Sequence, residues 1–269
     1  MRPLHFLPLA LAACAAHAEL QTDVVCALVD GAHTLSNALF TGADKTLIEL
    51  LAPEGHTPAV CNAFLLDTHG KKALIDTGRG GDLQAGLKAA GVAPGEIEAV
   101  LLTHSHADHV GGLLAADGKT AAFPNATVHI TSAELDFWRA SRPENAAACE
   151  AANTFALITP DGETPVLPGV VALDAAGHTP GHAAFLVDGT HLVAGDLLHS
   201  GLLQFSHPEI CASFDNDKEA AVAARKKILG YAAGKSEKTG RPFVFMASHI
   251  KEFGLIKEED GGFRLAPPD

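Results

Sequence analysis

Thr103-His104-Ser105-His106-Ala107-Asp108-His109-Val110-Gly111-Gly112 is the stretch of this sequence that decides the fold. It places three imidazoles and one carboxylate within six residues, directly after a short apolar run. If that run is a buried strand, His104 and His106 project to the same side, because side chains alternate along an extended chain. The backbone must turn before Asp108 and His109, so their side chains point to a second position close to the first. Imidazoles and a carboxylate at this density predict two adjacent metal sites.

Three further apolar runs end in residues of the same chemistry. The runs and the residues that follow them are 170–173 with His178, 191–195 with Asp196, and 243–247 with His249. Read as buried strands, they present metal-ligating side chains at their C-terminal ends, where open α/β sheets place their sites. The pattern therefore predicts that residues distant in the sequence meet at one edge of an α/β fold.

Hydrophobic periodicity and capping residues predict the other elements. Strands are predicted at 23–29, 46–51, 63–66, 72–75 and 127–131, and helices at 83–90, 110–116, 132–138 and 217–233. The region 141–168 reads as mixed loop and helix. In the last helix, Arg225, Lys226 and Lys227 are expected on a solvated face rather than in a nucleic-acid patch.

Residues 1–18 differ in composition from the rest of the chain. Arg2 precedes an apolar segment, and Ala16-His17-Ala18 has the small-x-small pattern of a signal-peptide cleavage site. The sequence therefore predicts a signal peptide over residues 1–18, a single domain over 19–269 and a periplasmic or secreted location. Leu11-Ala12-Ala13-Cys14 also resembles a lipoprotein processing box, which leaves a lipid anchor at Cys14 as the alternative.

The charge balance restricts the partners. The chain has 19 basic and 32 acidic residues and a net charge of −13; cleavage after residue 18 removes only Arg2 among the charges and leaves −14. Such a chain repels nucleic acid and anionic membranes. We expect a small neutral substrate, no nucleic-acid partner and no membrane-spanning segment after processing, and a homodimer remains open.

The remaining cysteines, Cys26, Cys61, Cys149 and Cys211, allow two disulfides in an oxidising compartment, with the pairing undetermined.

The order of these residues resembles that of metallo-β-lactamase-fold hydrolases over nearly the whole mature chain. The matching segments are Asp76-Thr77-Gly78, residues 104–112, Gly177-His178-Thr179-Pro180-Gly181-His182, Gly195-Asp196 and Ser248-His249. The likeness extends to the methyl parathion hydrolase-like branch through residues 123–129, Gly195-Asp196-Leu197, Gln204-Phe205 and the helix with Arg225-Lys226-Lys227. The resemblance implies a four-layer αββα sandwich in which two similar halves meet at a dinuclear metal site.

The resemblance also implies a role for each residue of the pattern. It assigns His104, His106 and His178 to one zinc ion, Asp108, His109 and His249 to a second, and Asp196 to a bridge between them. Asp76 and His182 would support these ligands by hydrogen bonds. The zinc ions would share a hydroxide that attacks the substrate, while Asp108 or Asp196 acts catalytically by orienting it or moving its proton.

The substrate implied by the resemblance is a small ester-like compound: a lactone, an aryl ester or a phosphotriester. An apolar pocket beside the metal ions is then expected. Candidate pocket residues are Phe137, Trp138, Phe155, Phe205 and His199. Large aromatic residues are equally common in plain hydrophobic cores, which is the alternative for the four aromatic side chains.

Three other functions share parts of this pattern. A periplasmic β-lactamase has the same histidine cluster, but the resemblance places no bridging carboxylate at the position of Asp196 in such enzymes. A redox di-iron protein of this fold usually has glutamate in place of His106. A non-enzymatic zinc-binding protein normally closes its site with four protein ligands, whereas the two three-residue sets here leave room for water and substrate.

Overall fold

The computed structural model describes residues 25–239 and 243–267. The predicted signal peptide, its cleavage site after Ala18 and the alternative lipid anchor at Cys14 therefore lie outside the described residues. Among the described residues, no helix combines the length and the apolar character that a bilayer span requires.

The described residues form fifteen strands and seven α-helices. The strands are β1 (Val25–Ser36), β2 (Phe40–Thr41), β3 (His56–Thr68), β4 (Lys71–Ile75), β5 (Ile97–Leu101), β6 (Thr127–Thr131), β7 (Thr154–Ile158), β8 (Thr164–Leu167), β9 (Val170–Asp174), β10 (Ala183–Val187), β11 (His191–Val193), β12 (Cys211–Ala212), β13 (Val244–Met246), β14 (Gly254–Glu259) and β15 (Gly262–Ala266). The α-helices are α1 (Lys45–Leu51), α2 (Leu83–Ala89), α3 (Ala107–Val110), α4 (Ser132–Ser141), α5 (Pro143–Ala152), α6 (Gly201–Gln204) and α7 (Lys218–Thr239).

The strands form two large sheets and one short ribbon. The first sheet has the order β1-β3-β4-β5-β6-β7, the second has the order β15-β14-β13-β11-β10-β9-β8, and β2 pairs with β12. In the first sheet, β4 through β7 run parallel to one another; in the second, only β11 and β13 do. Each parallel strand ends at the same edge of its sheet, which is the edge where sites of α/β folds form.

Both faces of each sheet are buried, which produces four layers. On β5, Leu101 faces the second sheet, whereas Val100 packs beneath α2 and α4. On β10, Phe185 faces the first sheet and Leu186 packs against α7. Alternation along a strand thus supplies one core between the sheets and two cores between sheet and helix. This αββα order confirms the predicted sandwich.

The segment predicted as a strand over 46–51 is instead the helix α1. The Asp44 side chain accepts a hydrogen bond from the backbone N–H of Thr46, as a helix N-cap does. Ile48 is buried in a small cluster with Phe40 and Ala52. The short Thr-Leu-Ile run was misleading, because a few apolar residues do not distinguish one helical turn from a strand.

Other predicted elements differ mainly in their limits. The helix predicted over 110–116 is not formed: the single turn α3 ends at Val110, and Leu114 beyond it pairs with Ala121 in an isolated bridge. Thr131, not Ser132, caps α4 by accepting from the N–H of Glu134. The mixed region 141–168 contains α5, β7 and β8. The strand predicted at 127–131 has those bounds in the structure.

Arg225 does not lie on a solvated face. Its side chain is 1% exposed and donates hydrogen bonds to the carbonyls of Leu197, Pro208 and Ile210. The neighbouring Lys226 and Lys227 are exposed as predicted. A guanidinium has five donors, so it can satisfy several backbone carbonyls of one irregular segment, which an ammonium could not do in the same fork geometry.

The disulfides considered from the sequence are not formed among Cys26, Cys61, Cys149 and Cys211. All four side chains are buried, Cys26 and Cys61 in the first sheet, Cys149 in α5 and Cys211 in the short ribbon. Burial raises the pKa of the Cys61 thiol to about 12 and that of the Cys149 thiol to about 11. Buried neutral thiols behave as small hydrophobic groups in the core.

Candidate metal centre

The seven predicted ligands meet at one edge of the sandwich, although they are spread over residues 104–249. His104 to His109 follow β5 in the first sheet. His178 lies between β9 and β10, Asp196 follows β11, and His249 follows β13, all in the second sheet. The site therefore takes ligands from both halves of the fold.

The first group of ligands, here called the three-histidine cluster, consists of His104, His106 and His178. His106 Nδ1 lies 3.0 Å from His104 Nε2 and 2.9 Å from His178 Nε2. Three imidazole nitrogens that point at one another cannot all be satisfied by hydrogen bonds, because a neutral ring has only one N–H. A cation bound at about 2.0–2.1 Å from each nitrogen satisfies all three.

The second group, here called the mixed cluster, consists of Asp108, His109 and His249. Asp108 Oδ2 lies 3.7 Å from His249 Nε2, and Asp108 Oδ1 lies 3.9 Å from His109 Nε2. One carboxylate and two imidazoles form a suitable ligand set for zinc or a similar transition metal.

Asp196 is within reach of both clusters. Its Oδ1 lies 3.1 Å from His109 Nε2, and its Oδ2 lies 3.1 Å from His249 Nε2. The same Oδ2 is 3.6 Å from His104 Nε2 and 3.5 Å from His178 Nε2. This carboxylate is therefore placed where a ligand shared by two ions would lie.

Two buried atoms at the centre support this interpretation. His109 Nε2 and Asp196 Oδ1 have no hydrogen-bond partner, although both are inaccessible to solvent. Buried polar atoms without a partner are rare and costly, and an ion is one of the few explanations for a facing pair. The residues present thus fit a bound metal at the position where these atoms point.

Hydrogen bonds on the far side of the rings fix their orientation. Asp76 Oδ2 lies 2.8 Å from His109 Nδ1, and the backbone carbonyl of Val60 lies 2.7 Å from His249 Nδ1. Asp215 Oδ1 lies 2.9 Å from His178 Nδ1. Each contact leaves the other ring nitrogen for the metal and sets the tautomer, as the partners of metal-bound histidines do.

The sequence predicts a supporting role for His182 but none for Asp215. His182 belongs to neither cluster: its Nε2 accepts from the N–H of Asp196, and its Nδ1 contacts the Ala175 carbonyl. Asp215 was not among the predicted site residues, since it lies in an irregular segment without a recognisable pattern. Only its contact with His178, 37 residues away, reveals its place.

The charges at the centre are strongly coupled. Burial would lower the pKa of His109, but the carboxylates of Asp196 and Asp76 outweigh it and hold that pKa well above the ordinary value. Burial would raise the pKa of Asp196, but His109, His249 and His104 keep it well below its usual range. Burial and the neighbouring His178 lower the pKa of His106 to about 4. The centre therefore combines an ionised Asp196 carboxylate with a neutral His106 ring, the states in which these groups bind metals, whereas His109 must first lose a proton.

One side of the centre is open. His106 and Asp108 keep part of their surface exposed, whereas the other ligands are buried. Arg79 lies at this side, with its Nη2 3.9 Å from Asp108 Oδ2, and Phe214 packs edge-on against His178. A substrate can approach the ligands from this direction.

Of the predicted pocket residues, only His199 lies at the centre. Its Nε2 is 3.2 Å from Asp196 Oδ2, and its ring contacts those of His249 and Phe214. Trp138 is 0% exposed and packs with Phe155 in the core beneath the first sheet. The remaining two aromatics also lie on packed elements: Phe137 is partly buried on α4, and Phe205 packs against Phe245 beneath the second sheet. Trp138 and Phe205 therefore pack in hydrophobic cores, which is the alternative stated from the sequence, and Phe155 packs partly buried against the same core as Trp138.

The fold and this centre define a class of metal-binding αββα proteins. Residues 56–235 match the metallo-beta-lactamase superfamily, and the chain belongs to that superfamily. An N-acyl homoserine lactonase from a Bacillus species is 32% identical over 185 residues, which are 67% of this chain and 64% of the lactonase. A hydroxyacylglutathione hydrolase of Xanthomonas axonopodis pv. citri (strain 306) is 30% identical over 51% of this chain and 45% of that enzyme.

Two solved structures resemble the whole described fold. The hydrolase AbOPH of the beta lactamase superfamily has a TM-score of 0.78 and 26% identity, and the match covers 94% of this chain and 97% of AbOPH. AidC, a dizinc quorum-quenching lactonase, has a TM-score of 0.77 and 25% identity, over 91% of this chain and 94% of AidC. The resemblance to metallo-β-lactamase-fold hydrolases stated from the sequence is thereby confirmed; its particular branch stays a prediction.

Proposed function

We propose that this chain is a secreted dinuclear zinc hydrolase that opens lactones. The observation that carries the proposal is the position of Asp196 between two complete ligand clusters. Its carboxylate lies 3.1 Å from both His109 and His249, 3.6 Å from His104 and 3.5 Å from His178. The similarity to a Bacillus lactonase and to the dizinc lactonase AidC supports both the metal and the reaction class.

The chemistry divides between the ions and the side chains. Bound zinc would lower the pKa of a water molecule, supply it as a nucleophile near neutral pH and polarise the scissile carbonyl. As a ligand on the open side, Asp108 would orient that nucleophile and carry its proton towards the leaving oxygen. Asp196 keeps the two clusters in one geometry. His199, which contacts Asp196, would contact the substrate.

A substrate panel tests the reaction. The purified protein, loaded with zinc, is assayed with N-acyl homoserine lactones, aryl esters, phosphotriesters, a glutathione thioester and a β-lactam. We expect kcat/KM to be highest for lactones, by at least tenfold. Phosphotriesters or aryl esters at the top of the ranking would keep the enzyme class but change the substrate, whereas comparable β-lactam turnover would indicate a β-lactamase.

Metal content and one substitution test the catalytic role of the centre. We expect two zinc ions per chain by elemental analysis and loss of at least 100-fold in kcat/KM for His106→Ala with the fold intact by circular dichroism. An unchanged rate in that variant would show that hydrolysis does not depend on this centre, and no turnover of any substrate by the zinc-loaded wild type would favour the non-enzymatic zinc-binding alternative. Stoichiometric iron with flavin-dependent activity would favour a redox di-iron protein.

The proposal that the protein is secreted is based on the composition of residues 1–18. Expression of the full chain in a Gram-negative host, followed by fractionation, should give a periplasmic protein whose first residue is Glu19. A mature protein that starts at a lipid-modified Cys14 and fractionates with membranes would support the lipoprotein alternative.

A further inference from the structure

A buried carboxylate outside the ligand set joins the two loops that carry the three-histidine cluster. Glu134 lies in the first turn of α4, and its side chain is 0% exposed. It touches neither cluster directly. A charge without contact to solvent must be compensated by donors, and the donors around Glu134 come from both halves of the fold.

Each oxygen of this carboxylate serves one of the loops. Oε1 accepts from the backbone N–H of Ser105 at 2.8 Å and from its hydroxyl at 2.6 Å. Oε2 accepts from the hydroxyl of Thr179 at 2.6 Å and from the N–H of Gly181 at 3.1 Å. Ser105 stands between His104 and His106, and Thr179 directly follows His178. The four hydrogen bonds therefore end beside all three ligands of the cluster.

The packing around Glu134 leaves little freedom to these loops. A Cβ atom on Gly181 would lie 2.1 Å from the backbone nitrogen of Glu134, so only glycine permits this approach. Thr131, which caps α4, donates to the carbonyl of Gly181 at 2.7 Å. The N-terminal turn of α4 is thus in close contact with the loop that carries His178.

We propose that Glu134 is a positioning residue that sets the metal affinity of the three-histidine cluster. His104 and His106 belong to the first half of the fold and His178 to the second, and a metal tolerates changes of only about 0.2 Å in its ligand distances. Through its four hydrogen bonds, Glu134 fixes the position of one loop relative to the other next to the ligands. The mixed cluster has no such contact with Glu134: His109 is oriented by Asp76, and His249 by the Val60 carbonyl. Its affinity should be independent of Glu134.

The inference rests on the proposed dinuclear centre, and stepwise metal binding tests it. Cobalt is titrated into the metal-free full-length protein with a competing chelator, and two binding events are resolved by absorption. His178→Ala and His249→Ala identify which event belongs to which cluster. In Glu134→Ala we expect the event lost in His178→Ala to weaken by about 10–100-fold, the usual range for such supporting partners, with the other event changed less than twofold.

Two further variants control for a general loss of structure. Glu134→Gln keeps the shape but presents an amide N–H₂ to one loop, and Thr179→Val removes one donor; both should weaken the same event to a smaller extent. Asp136→Asn, an exposed carboxylate on the same helix, should weaken neither. Unfolding of the metal-free variants is measured in parallel.

The outcomes separate this proposal from the proposed function. Equal weakening of both events, or a loss of stability of the metal-free protein with both affinities unchanged, would show that Glu134 is only structural. A wild type that binds two cobalt ions and hydrolyses lactones, beside a Glu134→Ala variant with unchanged affinities, would overturn this inference alone. A wild type that binds no cobalt would overturn both.

Discussion

At the scale of single residues, protons and metals compete for the same ring nitrogens. In the metal-free protein the carboxylate of Asp196 keeps the pKa of His109 well above its ordinary value and also raises that of His249. Each Nε2 must lose its proton before it binds a metal. We expect zinc binding at pH 7 to release protons and the apparent affinity to rise as the pH increases through neutrality.

Calorimetry in buffers of different ionisation enthalpy measures this release. The difference between the apparent binding enthalpies gives the number of protons, and a titration of zinc into a chelator in the same buffers serves as the control. Proton uptake, or an affinity that falls as the pH increases, would contradict the assignment of His109 and His249 as ligands.

The buried thiols give a second prediction at this scale. Because burial raises the pKa of Cys61 to about 12 and that of Cys149 to about 11, few of these thiols are thiolates at pH 8. We expect iodoacetamide to modify both residues at least 100-fold more slowly in the folded protein than in urea. Peptide mass spectrometry measures the modification, and rapid labelling of either residue in the folded protein would contradict its burial.

At the scale of elements, the Arg225 side chain links α7 to the irregular segment 197–212. Arg225 on α7 satisfies three backbone carbonyls of that segment and lies 3.7 Å from Asp215, which in turn orients His178. Arg225→Met leaves Asp215 and the carbonyls without this donor, and loss of one partner of a buried ion pair costs about 3–5 kcal/mol. We expect a decrease of that size in the free energy of unfolding.

Urea unfolding of the metal-free protein measures this effect. The neighbouring Lys226 is exposed on the same helix, so Lys226→Met is the matched control and should change the free energy of unfolding by less than about 0.5 kcal/mol. Equal effects of the two substitutions would show that the fork of hydrogen bonds from Arg225 contributes little.

The bulge in β1 supports a second element. The pairing of β1 with β3 shifts between Val29 and Ala32, and Asp30 within this shift accepts from the N–H groups of Arg79 and Leu83. Asp30→Ala leaves these donors without an acceptor where α2 begins. We expect a loss of about 2–6 kcal/mol in urea unfolding, because each of the two unsatisfied buried groups costs about 1–3 kcal/mol. Asp82→Ala, which removes a side chain that makes no capping bond, is the control and should have a much smaller effect.

At the scale of the whole molecule, metal binding should stabilise both sheets together. Each cluster takes ligands from the first sheet and from the second, so a bound ion links the two halves. A ligand that binds only the folded state stabilises it by about 2.7 kcal/mol at 100 times its Kd. We expect zinc to raise the melting temperature and to slow hydrogen exchange in β5 and β13 alike. Protection confined to one sheet would contradict a shared centre.

The sequence predicted the ligands better than their support. His104 to His109 are close in the chain, and the strand ends before His178, Asp196 and His249 carry local patterns, so their meeting could be expected. Glu134 and Asp215 act through contacts between distant segments, and no local spacing records such contacts. Their roles could be found only from the three-dimensional arrangement.

The errors in the predicted elements have a related origin. Arg225 was assigned to a solvated face because its two neighbours are lysines, yet the irregular segment beside α7 offers carbonyls that a guanidinium can reach. Residues 46–51 were assigned to a strand because six residues contain too little periodicity, and the cap at Asp44 decided for a helix. In both cases the structure depends on a neighbouring segment and not on the pattern of the residues themselves.

The division of each ligand set between the two sheets has a practical consequence. If the polypeptide were severed between β7 and β8, one fragment would keep His104, His106, Asp108 and His109, and the other would keep His178, Asp196 and His249. Neither fragment alone would retain a complete set for either ion. Mixing them in the presence of cobalt would produce the colour of the loaded centre only after reassociation, so the metal could serve as an optical reporter of complementation.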